Sequence, residues 1–152
     1  TTSIQALDLV GRKLLQLKGE GMRVFLTEVK AFCAAEANNS ALAEFMPELT
    51  AKLDEWQALS MRIAKDAMAN PDEIGGAAWD YLFHSGYVAL AYWWARSVAA
   101  AEASSRSQAF KDAKRETARF YFARLLPRTL AHKAAIESGV GNLTALDVAA
   151  FD

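Results

Sequence analysis

Cysteine, proline, histidine, valine and isoleucine are all scarce in this sequence of 152 residues. The lone Cys33 cannot close an internal disulfide, which fits a reducing compartment. Three prolines and eight glycines exclude a collagenous or low-complexity chain. Few valines and isoleucines beside abundant alanine disfavour sheets, because Ala enters a helix without losing side-chain entropy. Neither histidine follows a Glu by three residues: Tyr81 precedes His84 and Thr129 precedes His132, so the Glu-x-x-His motif of di-iron bundles is missing. Two histidines and one cysteine do not make a zinc site without carboxylates, and no metal ligand is assigned.

Strong charge of either sign is also lacking. Seventeen Lys/Arg against eighteen Asp/Glu leave a net charge of −1, so no global field attracts nucleic acid or a membrane surface. The most apolar stretch, Ser85 to Ala101, is interrupted by Arg96 and falls short of the roughly 20 residues a transmembrane span needs. The chain opens Thr-Thr-Ser, with neither a Met nor the basic and apolar stretches of a signal peptide. It therefore reads as a piece of a longer, cytoplasmic protein.

What is present is 53% hydrophobic sequence of single-domain length, enough to bury a sizeable core. Four helical segments follow from the spacing. The first, about Ser3 to Ala37, carries Ile4, Leu7, Val10, Leu14, Met22, Leu26 and Val29, with Thr2 and Gln5 as a capping box and a kink at Gly19-Glu20-Gly21. Asn38-Asn39-Ser40 is a turn, and Ala41–Phe45 forms a separate turn before Pro47, which suits the start of a helix. The second segment then places Leu49, Leu53, Trp56, Leu59, Ile63 and Ala67 on one stripe and stops at Asn70-Pro71, where Pro71 can enter the next first turn. The third, about Asp72 to Ser104, has large apolar groups around much of its circumference and reads as buried on more than one side. The fourth, about Ser107 to Ser138, is kinked by Pro127 and ended by Gly139. Short turns between such segments imply an all-α, up-and-down antiparallel four-helix bundle.

No catalytic constellation emerges. Asp80 and His84 stand four apart on one face and could pair, with no nucleophile beside them. Gly75-Gly76 and Gly19-x-Gly21 lack the Lys-Ser/Thr of a phosphate loop; the small run Gly75 to Ala78 suits close helix packing instead. Lys111, Lys114, Arg115, Arg119, Arg124, Arg128 and Lys133 are open to two readings, a solvated face or a receiver for an anionic partner. The aromatic third helix is likewise open, as core or as interface.

Thr1-Thr2-Ser3-Ile4-Gln5-Ala6-Leu7-Asp8 resembles the signature near the end of acyl-CoA dehydrogenases, in which Tyr-Glu-Gly-Thr-x-x-Ile-Gln enters the last helix of the catalytic body. The remainder looks like the extra C-terminal helical domain of one branch of that family. The matching pieces are Asp8 to Leu14, Tyr87 to Arg96 and, most specifically, Thr117 to Arg128. The resemblance implies that residues 1–15 are the tail of the catalytic body's last helix, 16–139 the bundle and 140–152 a tail.

The resemblance also implies a parent that oxidises an acyl-CoA to the 2,3-enoyl-CoA with FAD and forms a homo-oligomer. Its catalytic Glu would lie just before residue 1, so the fragment by itself would be inactive, with no catalytic residue of its own. Contact with FAD in the parent would carry over to Thr1, Thr2, Ser3 and Gln5. The bundle would dock on the catalytic body or support the oligomer. A different class of reading is a free-standing helical module that binds a protein or a small apolar ligand.

Overall fold

The computed structural model describes residues 1–151, and among them the chain is helical with no strand. All four expected segments form, the first and the fourth each broken in two. The first begins as α1 (Thr2–Leu7) and widens without a break into a π-helical stretch, Asp8–Gln16. There Leu17 N–H reaches back five residues to the Arg12 carbonyl at 2.8 Å. The chain then reverses and continues as α2 (Glu20–Ala35). The reversal falls at Lys18-Gly19, both left-handed at φ 51° and 63°, whereas Gly21 lies inside α2. Gly19 supplies the left-handed backbone that ends one helix and starts the next. The Thr2–Gln5 capping box does not form. The helix starts one residue sooner, and the Thr1 carbonyl, not a side chain, accepts from Gln5 N–H at 3.0 Å.

After a turn in which Asn39 Oδ1 accepts from Ala41 N–H at 3.0 Å, α3 (Met46–Ala69) opens with Pro47 in its first turn. Leu49, Leu53, Trp56, Leu59 and Ile63 are buried, as their spacing predicts. Pro71 stays in the connecting turn, where Asn70 Oδ1 accepts from Asp72 N–H, and α4 spans Glu73–Ala103. Ser107 Oγ caps α5 (Gln108–Arg124) by accepting from Phe110 N–H. Pro127 does more than kink the fourth segment. With no N–H to donate, it sits in a 3₁₀ turn, Leu126–Arg128, that separates α5 from α6 (Thr129–Ser138). Gly139 then turns the chain at φ 70°, ψ −178°, a region essentially reserved for glycine.

Helix α4 organises the rest. Its 31 residues span about 46 Å, and α1, the π stretch, α3, α5 and α6 all pack on it. Its inward face is built largely of small residues, Ala77, Ala78, Ser85, Ala91, Ala95 and Ala101, punctuated by Tyr81, His84, Val88, Tyr92 and Val98. Small side chains let neighbouring backbones come close, and the rings fill what remains. Phe25 of α2 meets Tyr92 edge-on at 5.6 Å and Trp56 of α3 at 6.0 Å. A second cluster, Leu42, Phe45, Val98 and Ala118, closes the other end of α4. Of the paired glycines, Gly76 is the close-packed one. A Cβ there would meet Val140 at 3.2 Å, whereas Gly75 faces open space.

Leu53 of α3 is fully buried in the main core. Leu53→Ala is expected to lower unfolding stability by about 2–5 kcal/mol, read by denaturant titration, while Leu143→Ala in the exposed tail stays within about 0.5 kcal/mol of the original.

Candidate functional site

The residues that resemble a flavin-contacting turn, Thr1, Thr2, Ser3 and Gln5, occupy the first turn of α1. Thr1, Ser3 and Gln5 are exposed and Thr2 is half-buried. They stand away from Ala6 and Val10, which seat this segment in the core. They present three hydroxyls and one amide on an open turn. The turn itself forms no enclosed cradle.

A row of buried polar groups runs between α3 and α4. The Asp80–His84 pair foreseen from spacing is not made, because each residue finds a partner on another helix. His84 Nε2 lies 2.9 Å from Glu55 Oε1, and Asp80 Oδ1 lies 2.7 Å from His132 Nδ1 on α6. Helical spacing brings side chains to one face, but the neighbouring helix decides what they meet. Lys52 Nζ donates to the same Glu55 oxygen at 3.0 Å. Lys52 is 7% exposed and His84 fully buried.

His84 Nδ1 is buried with no hydrogen-bond partner among the described residues. A protonated ring would leave an N–H donor stranded there, so the neutral tautomer, donating from Nε2 to Glu55, suits the site. Burial accordingly pushes the His84 pKa below its ordinary value, against the pull of Glu55. Burial alone would raise Glu55, but the hydrogen bonds from His84 and Lys52 together hold it below the usual carboxylate range. A neighbouring node joins Tyr81 Oη to Ser60 Oγ at 2.6 Å, and burial raises the Tyr81 phenol. His132 is stacked between Phe83 and Tyr87, with ring centres at 5.6 and 5.8 Å. The Lys52–Glu55–His84 cluster has no nucleophile and no opening for a substrate at the imidazole. It clamps α3 to α4. Lys52 and Glu55 escaped sequence reasoning, although Lys52 stands seven residues before Leu59 on the buried stripe.

The basic stretch of α5 and α6 is partly neutralised within the bundle, three of its seven cations pairing with carboxylates. Arg115 pairs with Glu102, Arg119 with Glu44 and Glu116, and Lys133 with Glu137. Lys111 donates to the Glu102 carbonyl, and Arg128 to the Tyr87 hydroxyl. This arrangement favours the reading as a solvated, self-paired face.

The outer face of α4 is apolar and uncovered. Trp79, Phe83, Gly86, Leu90 and Trp93 recur at steps of four, three, four and three residues and so lie along one line of the helix. Trp79, Leu90 and Trp93 are each about half exposed, Phe83 is partly exposed beside Trp79, and a Cβ on Gly86 would meet nothing. Arg96 borders the line, its guanidinium 5.2 Å from the Trp93 ring centre. Exposed aromatics aligned over such a length are a mark of an interaction surface.

The chain belongs to the family described as acetyl-CoA dehydrogenase C-terminal-like, whose model matches residues 25–147. The match takes in most of α2, all of α3 to α6, the buried clamp and the uncovered face of α4; α1 and the π stretch precede it. No curated protein matches the chain. Among the described residues no helix is long and apolar enough to cross a membrane.

The clamp makes stability depend on pH. Unfolding releases His84 to its ordinary pKa, so the unfolded chain binds more protons as pH falls below about 6.5. Glu55 acts in the same direction, its contribution present above its unfolded pKa and lost as pH falls through the depressed folded value. The thermal midpoint is expected to fall from pH 7 to pH 5, and His84→Phe is expected to flatten that dependence. A pH-independent midpoint in the original chain would contradict the neutral, buried imidazole.

Proposed function

We propose that this chain is the accessory helical bundle of an FAD-dependent acyl-CoA dehydrogenase, whose whole enzyme oxidises an acyl-CoA to the 2,3-enoyl-CoA in the cytoplasm. The uncovered line Trp79–Phe83–Gly86–Leu90–Trp93 carries the reading. It is the surface by which the bundle seats on the catalytic body or on a neighbouring subunit of a homo-oligomer. Its steps of three and four residues suit a partner helix laid along α4, with Gly86 giving room for a side chain from that helix. Family membership supports the parent.

In this reading residues 1–15 continue the last helix of the catalytic body, 16–139 form the bundle and 140–152 a tail. The base that removes the α-proton is a Glu upstream of Thr1, and the flavin, when bound in the parent, supplies the hydride acceptor. Thr1, Thr2, Ser3 and Gln5 offer hydroxyl and amide groups that help orient the cofactor's edge.

In the whole enzyme, Leu90→Glu combined with Trp93→Glu is expected to reduce the assembled mass or the thermal midpoint, read by sedimentation and calorimetry. The same changes in the 152-residue chain should leave its helical circular dichroism intact. Unaltered assembly and stability of the enzyme would refute docking through α4. The codons immediately before Thr1 are expected to read Glu-Gly; a stop codon or unrelated sequence there would remove the parent assignment.

A further inference from the structure

A groove of about 740 Å³ opens between α2 and α3, beside the Lys18-Gly19 reversal. Leu14, Met22, Leu26 and Ala64 line its apolar wall, Met61 and Met68 stand exposed at its edge, and Lys18, Arg23 and Lys30 also border it. No carboxylate lines it. Lys30 is engaged, reaching Asp54 at 3.3 Å and Gln57 at 3.2 Å. Lys18 and Arg23 form no ion pair among the described residues.

A smaller cavity of about 280 Å³ meets the groove at Leu14 and Met22. Trp56 lines that cavity, and its buried indole N–H has no hydrogen-bond partner. The groove is thus concave with an apolar wall, and it adjoins the smaller recess across Leu14 and Met22. Concave apolar cavities of roughly 300–1,000 Å³ with few polar groups are the usual form of small-ligand sites. Methionine adds adaptability, because its unbranched thioether follows the shape of whatever lies on it.

We propose that the groove binds single molecules of a long-chain anionic amphiphile, with the hydrocarbon along Leu14, Met22, Leu26 and Ala64, the exposed Met61 and Met68 folding over it, and a carboxylate head at Lys18 and Arg23. Charge selects the head group. Two unpaired cations beside a surface without carboxylates favour an anion, and the apolar wall requires that the anion carry a hydrocarbon chain. A nucleic acid is disfavoured, since no aromatic platform lines the groove. The inference concerns residues away from the uncovered line on α4 and stands independently of the parent assignment.

Dodecanoate, kept below its micellar concentration, is the probe, titrated into the 152-residue chain carrying ¹³C-methyl methionine. The chain has four methionines, and three of them line the groove. Saturable one-to-one shifts are expected at Met22, Met61 and Met68, with Met46 unmoved. Lys18→Glu with Arg23→Glu should weaken binding at least about tenfold without changing helical content, and dodecanol should bind about tenfold more weakly than dodecanoate. Ala64→Trp, which fills the groove, should abolish the shifts. Equal affinity for dodecanol, indifference to the double charge reversal, or shifts that include Met46 would overturn the proposal. So would binding to anionic vesicles, or to an acidic amphipathic peptide, without binding to monomeric dodecanoate.

Discussion

A helix that is apolar around its circumference has to be covered on more than one side, and the described chain covers most of α4 but leaves one line of it open. Its alanine-rich face lets α1, α3, α5 and α6 approach closely, and Tyr81, Tyr92 and Val88 fill the spaces that small residues leave. The open line presents Trp79, Leu90 and Trp93 to solvent. The bundle is therefore complete as a folded body and incomplete as a surface. Family membership is what supports the proposal that a larger enzyme covers that line.

Much of this was legible in the residues. Pro47, Asn70-Pro71, Ser107 and Gly139 mark element ends through backbone chemistry that acts locally, and the structure puts the ends there to within a residue or two. The stripe from Leu49 to Ile63 is buried because helical spacing alone decides which side chains share a face. The features that could not be read depend on distant contacts. Asp80 and His84 share a face, yet their partners, His132 and Glu55, come from α6 and α3. The widening at Asp8–Gln16 leaves no mark in a pattern that still places Val10 and Leu14 inward. The groove is invisible in sequence for a similar reason: Lys18, Arg23 and Met68 become neighbours only after α2 folds back along α3.

The charges sort themselves by how far the bundle satisfies them. On α5 and α6, Arg115, Arg119 and Lys133 are matched to nearby carboxylates, so the apparently basic segment presents less free positive charge than its count suggests. Lys18 and Arg23, unremarkable in a count, stand unmatched beside an apolar wall. A net charge of −1 conceals both facts. Function is better sought in local imbalance than in the total.

The clamp of Lys52, Glu55 and His84 also restricts how the sequence can drift. Replacing all three by apolar residues of similar bulk could leave stability unchanged, because a buried ion pair gains little over well-packed hydrocarbon. Losing Glu55 alone strands the Lys52 charge and the His84 donor, and losing Lys52 alone strands the Glu55 charge, at a cost of about 3–5 kcal/mol. The two states are thus joined by no easy single step. Lys52, Glu55 and His84 are expected to be inherited as a unit, kept or lost together among descendants of this chain.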